Sequence, residues 1–395
     1  MQFQRQPYHA SIRRGLGLLA ALALALAALA APARAQQLPD RLADSTFWRM
    51  ITTMSEPNGY FQSDNLVGNE RALLWPIAGL QRTVGEGGVY LGVAPDQNFT
   101  YIAALKPKIA IIVDIRRGAM LQHLLYKALF ELSADRADFL AHLFSRRRPA
   151  ALGADTKVAA LFAAFDSVKA DSAMYRQTFA EVKRVLSTTH GFALSDTDYA
   201  GMEYVFDAFY AEGPDLTYRF GQGGGRGGFG RGGFMPTFAA MQELTDSAGV
   251  QRAWLATEAT YRFMKDFEGR NLLVPLVGDF AGPKALRAVG DWLREHHAAV
   301  SVMYVSNVEQ YLFPGRNSAS PDAWRRYYEN VATLPLAPNA QFLRSISGGG
   351  GGGGGGRGGF GGLTQQVTCG VEDLLKAYRE GRILSYGDVI ALSHP

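Results

Sequence analysis

The sequence predicts an α/β protein, a doubly wound and mostly parallel sheet with helices on both faces and one long helical insertion. Short apolar runs bounded by glycine or ending in an acid alternate along the chain with segments of helical period. Two of those runs, Val89–Val93 and Ile109–Asp114, flank one short helical stretch. Strand, helix and strand within about thirty residues make a βαβ unit, whose strands run parallel through a right-handed crossover. At 395 residues with 47% apolar side chains, the chain also has enough material to bury a large core.

In order, Leu42–Met54 reads as a helix, followed by a turn-rich passage: Glu56-Pro57-Asn58-Gly59, Tyr60–Asn65 and Asn69-Glu70. Gly87-Gly88 introduces the first strand. Asn98–Leu105 is helical, Lys106-Pro107-Lys108 breaks it, and Ile109–Asp114 is the second strand. From Met120 to Leu132 the apolar residues 120, 121, 124, 125, 128, 129 and 132 form one face of a helix. That helix opens an insertion over about 118–215, with 135–144, 156–170 and 196–210 as its clearest pieces. Leu272–Asp279 supplies the third strand, Lys284–His296 a helix, Val300–Val305 the fourth strand, Ala323–Leu334 a helix and Ala340–Ile346 the fifth strand. The alternation argues for a Rossmann-like sheet, with one domain spanning 36–220 and 234–346 and a C-terminal segment at 363–395.

Two stretches interrupt this pattern, 221–233 and 347–362, both nearly pure glycine with occasional Arg and Phe. Glycine loses the most conformational entropy on ordering and has no side chain to bury, so both read as a loop and a linker of freely variable length. Arg226, Arg231 and Arg357 beside Phe229, Phe234 and Phe360 also match RNA-binding segments of the RGG type. The charge argues against nucleic acid. The net +4 comes from Arg5, Arg13, Arg14 and Arg34, leaving 36 basic against 36 acidic side chains in the rest of the chain.

Residues 1–35 read as a secretory signal peptide: a basic start, an apolar run Gly15–Ala31, and Ala33-Arg34-Ala35 before Gln36 as the cleavage site. The run sits at the short limit of the ~17–25 residues that span a bilayer, so an uncleaved anchor is the alternative. The expectation is an exported, periplasmic or cell-envelope protein with no stable membrane span after cleavage. Arg13-Arg14 leaves the twin-arginine route open beside the general one. Cys369 is the only cysteine, which excludes an intramolecular disulfide and any cysteine-rich zinc or iron-sulfur site. The seven histidines are scattered without metal-ligand spacing, so no metal is expected. Neither a Gly-x-Ser-x-Gly elbow nor a Gly-Lys-Ser/Thr phosphate loop occurs.

Ligands of such sheets bind at the carboxyl ends of the strands. After the first strand, Gly92 opens a turn that leads through Gln97 and Asn98 into a helix N-terminus. Asp114 closes the second strand at the spacing from Gly92 where a carboxylate accepts ribose hydroxyls. Asp279 ends the third strand beside Phe280, an aromatic suited to lie on a purine, and Asn307 and Glu309 follow the fourth. Asp64, Asn65 and Glu70 are further polar residues able to approach the cleft from the amino-terminal passage. Each acid also has a plain alternative, capping the next helix or pairing with a base, and Arg116 and Arg117 stand beside Asp114.

Glycine turn, acid after strand two, Gly-Asp after strand three and a polar strand-four terminus together resemble the class I S-adenosylmethionine-dependent methyltransferases. The stretches Gly92–Arg117 and Val274–Glu309 are also similar to an uncharacterised bacterial family, and the resemblance covers residues 40–346. It implies S-adenosylmethionine as cofactor, with the methionine moiety at Gly92, Gln97 and Asn98, ribose at Asp114, adenine at Asp279 and Phe280, and the reacting centre at Asn307 and Glu309. The chain departs from the family where Ala94 and Pro95 replace turn glycines. The alternative is a non-catalytic ligand-binding or scaffold protein of the cell envelope that retains the fold, since the methyl donor is made in the cytoplasm.

Overall fold

The structure, a computed structural model, describes residues 38–218, 235–314, 320–347 and 364–394. The signal or anchor segment 1–35 and the glycine-rich tract 221–233 lie outside those residues, as does the tract 347–362 apart from Ser347. No helix among the described residues is long and apolar enough to cross a membrane.

The chain opens with α1 (Asp44–Met54) and α2 (Ile77–Val84), then runs β1 (Val89–Gly92), α3 (Gln97–Leu105), β2 (Ile109–Asp114) and α4 (Arg117–Leu132). The insertion holds α5 (Arg136–Phe144), α6 (Val158–Asp166), α7 (Ser172–Arg184), a π-helical turn at Val185–Thr189 and α8 (Asp196–Glu212). After it come α9 (Phe238–Gln242), α10 (Glu258–Gly269), β3 (Leu273–Val277), α11 (Ala285–Glu295), β4 (Val300–Ser306) and α12 (Glu309–Leu312). The chain finishes with α13 (Ala323–Val331), β5 (Leu336–Ser347), β6 (Thr364–Gly370), α14 (Val371–Arg379) and α15 (Tyr386–Ala391).

The six strands form one sheet in the order β3-β2-β1-β4-β5-β6. Pairs β2·β3, β1·β2, β1·β4 and β4·β5 are parallel, and β5·β6 is antiparallel. This is the expected Rossmann-like α/β architecture, with helices flanking a mostly parallel sheet. Covered on both faces, β1, β2 and β3 are buried at every position, which explains their unbroken apolar sequences. Pro275 sits within β3, where a residue without an N–H is tolerated because β3 is the sheet's edge.

Every residue from Ala119 to Phe130 on α4 is buried, because the helix lies between the sheet and the insertion. Phe99, Phe130, Phe139, Trp254 and Tyr261 meet around it in edge-on and tilted contacts at centroid distances of 4.8–5.8 Å. Each such ring contributes about 1.5–3 kcal/mol by leaving water. Helix starts in the insertion are set by local side chains: Asp135 caps α5, Asp171 caps α7, and Ser195 with Asp198 makes a capping box on α8.

The turn-rich segment 56–70 crosses the carboxyl ends of the strands. Glu56 N–H donates to Val277 O at the end of β3, Gly59 N–H to Ile115 O after β2, and Gln122 of α4 reaches back to Leu66 O. Gly68 lies against Gln97 beyond β1, and Phe61 stands edge-on to Tyr311 beyond β4, with ring centroids 5.0 Å apart.

Candidate functional site

The strand order reverses between β1 and β4, and there the turn 92–98 leaves the sheet. A side chain on Gly92 would put its Cβ 2.1 Å from Asn98 Oδ1, so the close approach of turn and helix requires glycine. Asn98 is fully buried and spends its amide on that turn. Its Nδ2 donates to the carbonyls of Val93, Ala94 and Pro95 at 2.8–2.9 Å, and its Oδ1 accepts from Tyr90. Ala94 has φ 69°, the left-handed region that favours glycine. The position where the resemblance puts a turn glycine therefore keeps a glycine's conformation with an alanine's side chain. His123 Nε2 bonds the Ala94 carbonyl at 3.0 Å, and burial pulls this imidazole down to about 4. Asp96, buried and bonded by Trp254 and Gln242, is pushed up to about 6 by burial.

Asp114 ends β2 at the same rim as Gly92, since Gly92 pairs with Ile112 two residues earlier. Both carboxylate oxygens are engaged by Arg116: Oδ1 accepts from its backbone N–H at 2.9 Å and its Nε at 3.2 Å, and Oδ2 from Nη2 at 3.1 Å. Arg116 Nη1 also bonds the Asp64 carbonyl, which ties β2 to the segment above it. Asp279 turns its carboxylate back to the Ala281 N–H at 2.9 Å, and its own N–H donates to Glu56. The Glu56 carboxylate further accepts from the N–H groups of Lys284 and Ala285, so it occupies the start of α11. Phe280 is buried edge-on to Tyr327, and its carbonyl accepts from Asn330.

Asn307 lies half-buried in the turn after β4, hydrogen-bonded to Tyr311 near Gln62. Glu309 is held apart from that turn's polar groups, 1% exposed, in a buried ion pair with Arg344 of β5. Arg344 Nη2 is 3.1 Å and the Tyr328 hydroxyl 2.7 Å from Glu309 Oε1, while Arg344 Nε meets Oε2. Arg344 stacks over Phe342 and touches Cys369 Sγ. Gly92, Gln97 and Asn98 thus form one turn, Asp114 and Asp279 stand beneath the covering segment with partners of their own, and Glu309 joins β5 to α13.

Glu70 completes the rim. It is 3% exposed, and its oxygens accept from Tyr304 at 2.7 Å, Gln366 at 2.8 Å, and Ser306. Burial pushes this carboxyl up, opposed by those bonds. Gln97 joins the network through Tyr304, its Nε2 donating to the hydroxyl at 3.0 Å. Glu70 therefore gathers polar groups from the far ends of β4 and β6 and from the helix after β1. In sequence it stands out as a polar residue of the turn-rich passage able to approach the cleft, and Gln366 carries no signal at all. Nothing in local spacing could announce contacts across 234 and 296 residues. Among the described residues, no group of three or more His, Cys, Asp or Glu side chains could hold a metal ion.

Sheet order and rim define a Rossmann-like α/β protein with a polar cluster at the reversal of strand order. The chain belongs to the family described as a domain of unknown function, DUF7790, whose model matches residues 67–196 and 236–353. The two matched stretches carry β1 to β5, Glu70 and Arg344. No curated protein matches the chain.

Proposed function

We propose that this chain is an exported small-molecule-binding protein that takes an adenosyl ligand of the S-adenosylmethionine kind at the rim between β1 and β4, with no nucleic-acid partner. The observation that carries this reading is the register of β1 on β2, which brings Gly92 and Asp114 to one rim beside the strand-order reversal. Buried amide oxygens of Gln97 and Gln366 without donors suit a polar ligand there. Asp114 receives the ribose hydroxyls as Arg116 yields its Nη2 contact, the turn 92–98 lies along the amino-acid end, and Asp279 and Phe280 border the base. When bound, S-adenosylmethionine supplies a methyl group activated by its sulfonium. Asn307, at the fourth strand's terminus, orients an acceptor by position alone.

The second reading is a binding or scaffold protein of the cell envelope without catalysis. Glu309 favours it, because a carboxylate locked between Arg344 and Tyr328 has no oxygen left to orient a nucleophile.

Calorimetry of the mature protein with S-adenosylmethionine and S-adenosylhomocysteine tests the first reading. Heat and a thermal shift are expected, and both should vanish in Asp114→Ala with the fold intact by circular dichroism. Silence from both ligands would leave only the non-adenosyl readings, whereas an unfolded Asp114→Ala would make the carboxylate a structural anchor for Arg116. A mass beginning at Gln36 in exported material is the outcome that fits cleavage, and a full-length mass fits the anchor.

A further inference from the structure

The segment 56–70 delivers a carboxylate to the reversal of strand order with only uncharged donors against it. Hydroxyls of Tyr304, Ser306 and Ser345 and the amide of Gln366 are the groups that bond Glu70. The two amides that reach this network with their N–H groups leave their oxygens bare. Gln97 donates to Tyr304 and Gln366 donates to Glu70, and Oε1 of each is buried without a donor. Gln97 is 5%, Gln366 4% and Glu70 3% exposed, so bulk water does not serve these atoms. Turning Gln366 over would set its oxygen against the carboxylate, so the surplus of acceptors belongs to the cluster and not to one amide's orientation. The Tyr101 hydroxyl, packed near Tyr304 and also without a partner, is a further polar group there, able to donate or accept.

A group that donates and carries positive charge answers this arrangement. A primary ammonium has three N–H donors and no acceptor, whereas a phosphate or a second carboxylate would add acceptors and like charge. The neighbouring turn has the same bias. Pro95 has no N–H, the amides of Asn98 and Phe99 are already bonded to Pro95 O and Asp96 O, and the Asp96 carboxyl is buried close by. Two of the amides that would face a phosphate at this helix start are therefore already used, and the Asp96 carboxyl adds like charge. Arg116, the cation at the adjacent strand end, is held by Asp114 and the Asp64 carbonyl.

We infer that Glu70, Gln97 and Gln366 form a subsite for a primary ammonium group of the ligand, and that the rim selects amine-bearing adenosyl compounds over phosphorylated ones. This rests on the adenosyl-site reading above and names the part of the ligand that the cluster holds.

Titration calorimetry of the full chain with four compounds tests it: S-adenosylhomocysteine, its deamino analogue that keeps the carboxylate, 5′-methylthioadenosine, and ADP. Loss of a hydrogen-bonded charge should make the deamino analogue bind about tenfold or more weakly than S-adenosylhomocysteine. ADP should be weaker than 5′-methylthioadenosine. Glu70→Gln should bring S-adenosylhomocysteine and its deamino analogue to the same affinity and leave 5′-methylthioadenosine unchanged. Equal binding of the first two by the unaltered protein, or a preference for ADP, would overturn the ammonium subsite while the adenosyl site stands. If none of the four binds, site and subsite fall together. The comparison within the unaltered protein decides the matter even where Glu70→Gln fails to fold.

Discussion

Ala94 shows how one side chain records a conflict between sequence and backbone. Its φ of 69° strains an L-residue by about 1–2 kcal/mol, and glycine would relieve that at an entropic cost of about 0.5–1 kcal/mol. Ala94→Gly is therefore expected to stabilise the protein by about 0.5–1 kcal/mol, read as a higher urea midpoint at unchanged slope. A lower midpoint would show that the Ala94 methyl group packs better than its backbone suffers. The sequence exposed this position as a departure from the glycine turn, and its conformation is what the departure conceals. The partners of the acids were less legible. Arg116 stands two residues from Asp114 and was visible as an alternative partner, but Arg344 is 35 residues from Glu309 and meets it only because β5 lies beside β4.

Among the elements, the strands that formed continuous apolar runs were readable because burial on both faces removes the polar alternation. Strand β6 was not, since its Thr-Gln-Gln-Val-Thr-Cys-Gly sequence is half-polar and follows a glycine tract. Its polar residues make sense only against β5 and Glu70. The segment 56–70 was readable as turns but not as a cover, for its hold on the rim consists of contacts with partners far away in the chain. Glu56 makes several of these, accepting from the N–H groups of Asp279, Lys284 and Ala285. Glu56→Ala should cost about 1–2 kcal/mol, as loss of a helix-start acceptor does. Amide exchange should accelerate at 279, 284 and 285 while the amides of β2 stay protected. Faster exchange throughout β2 instead would mean that the cover holds the sheet itself.

For the molecule as a whole, buried acids give stability a definite pH dependence. Glu268 is pushed up to about 8 and Asp96 to about 6 by burial, from ordinary values of 4.5 and 3.8. A carboxyl that is more readily protonated in the folded state stabilises the fold below its unfolded value. That contribution declines as pH climbs through the interval up to the folded value. Asp96 therefore weakens the fold between about 4 and 6, and Glu268 between about 4.5 and 8. His123, drawn down to about 4 from 6.5, acts in the opposite sense up to 6.5. Above pH 6.5 the descent due to Glu268 should dominate, aided by His190, which Glu131 raises. Melting temperature should fall from pH 6.5 to 8, and Glu268→Gln should flatten that fall. A variant as steep as the parent would place the proton elsewhere.

The antiparallel pairing beside each glycine tract has an engineering consequence. Ser347 is the cross-strand partner of Thr364, and Thr217 bridges Thr237, so the described residues that flank each tract are paired neighbours. Foreign cargo grafted between such stems, an epitope or a fluorescent reporter, asks the scaffold to span only about the 5 Å between paired strands. The protein thus offers two docking ports where a label can be carried without loosening the sheet.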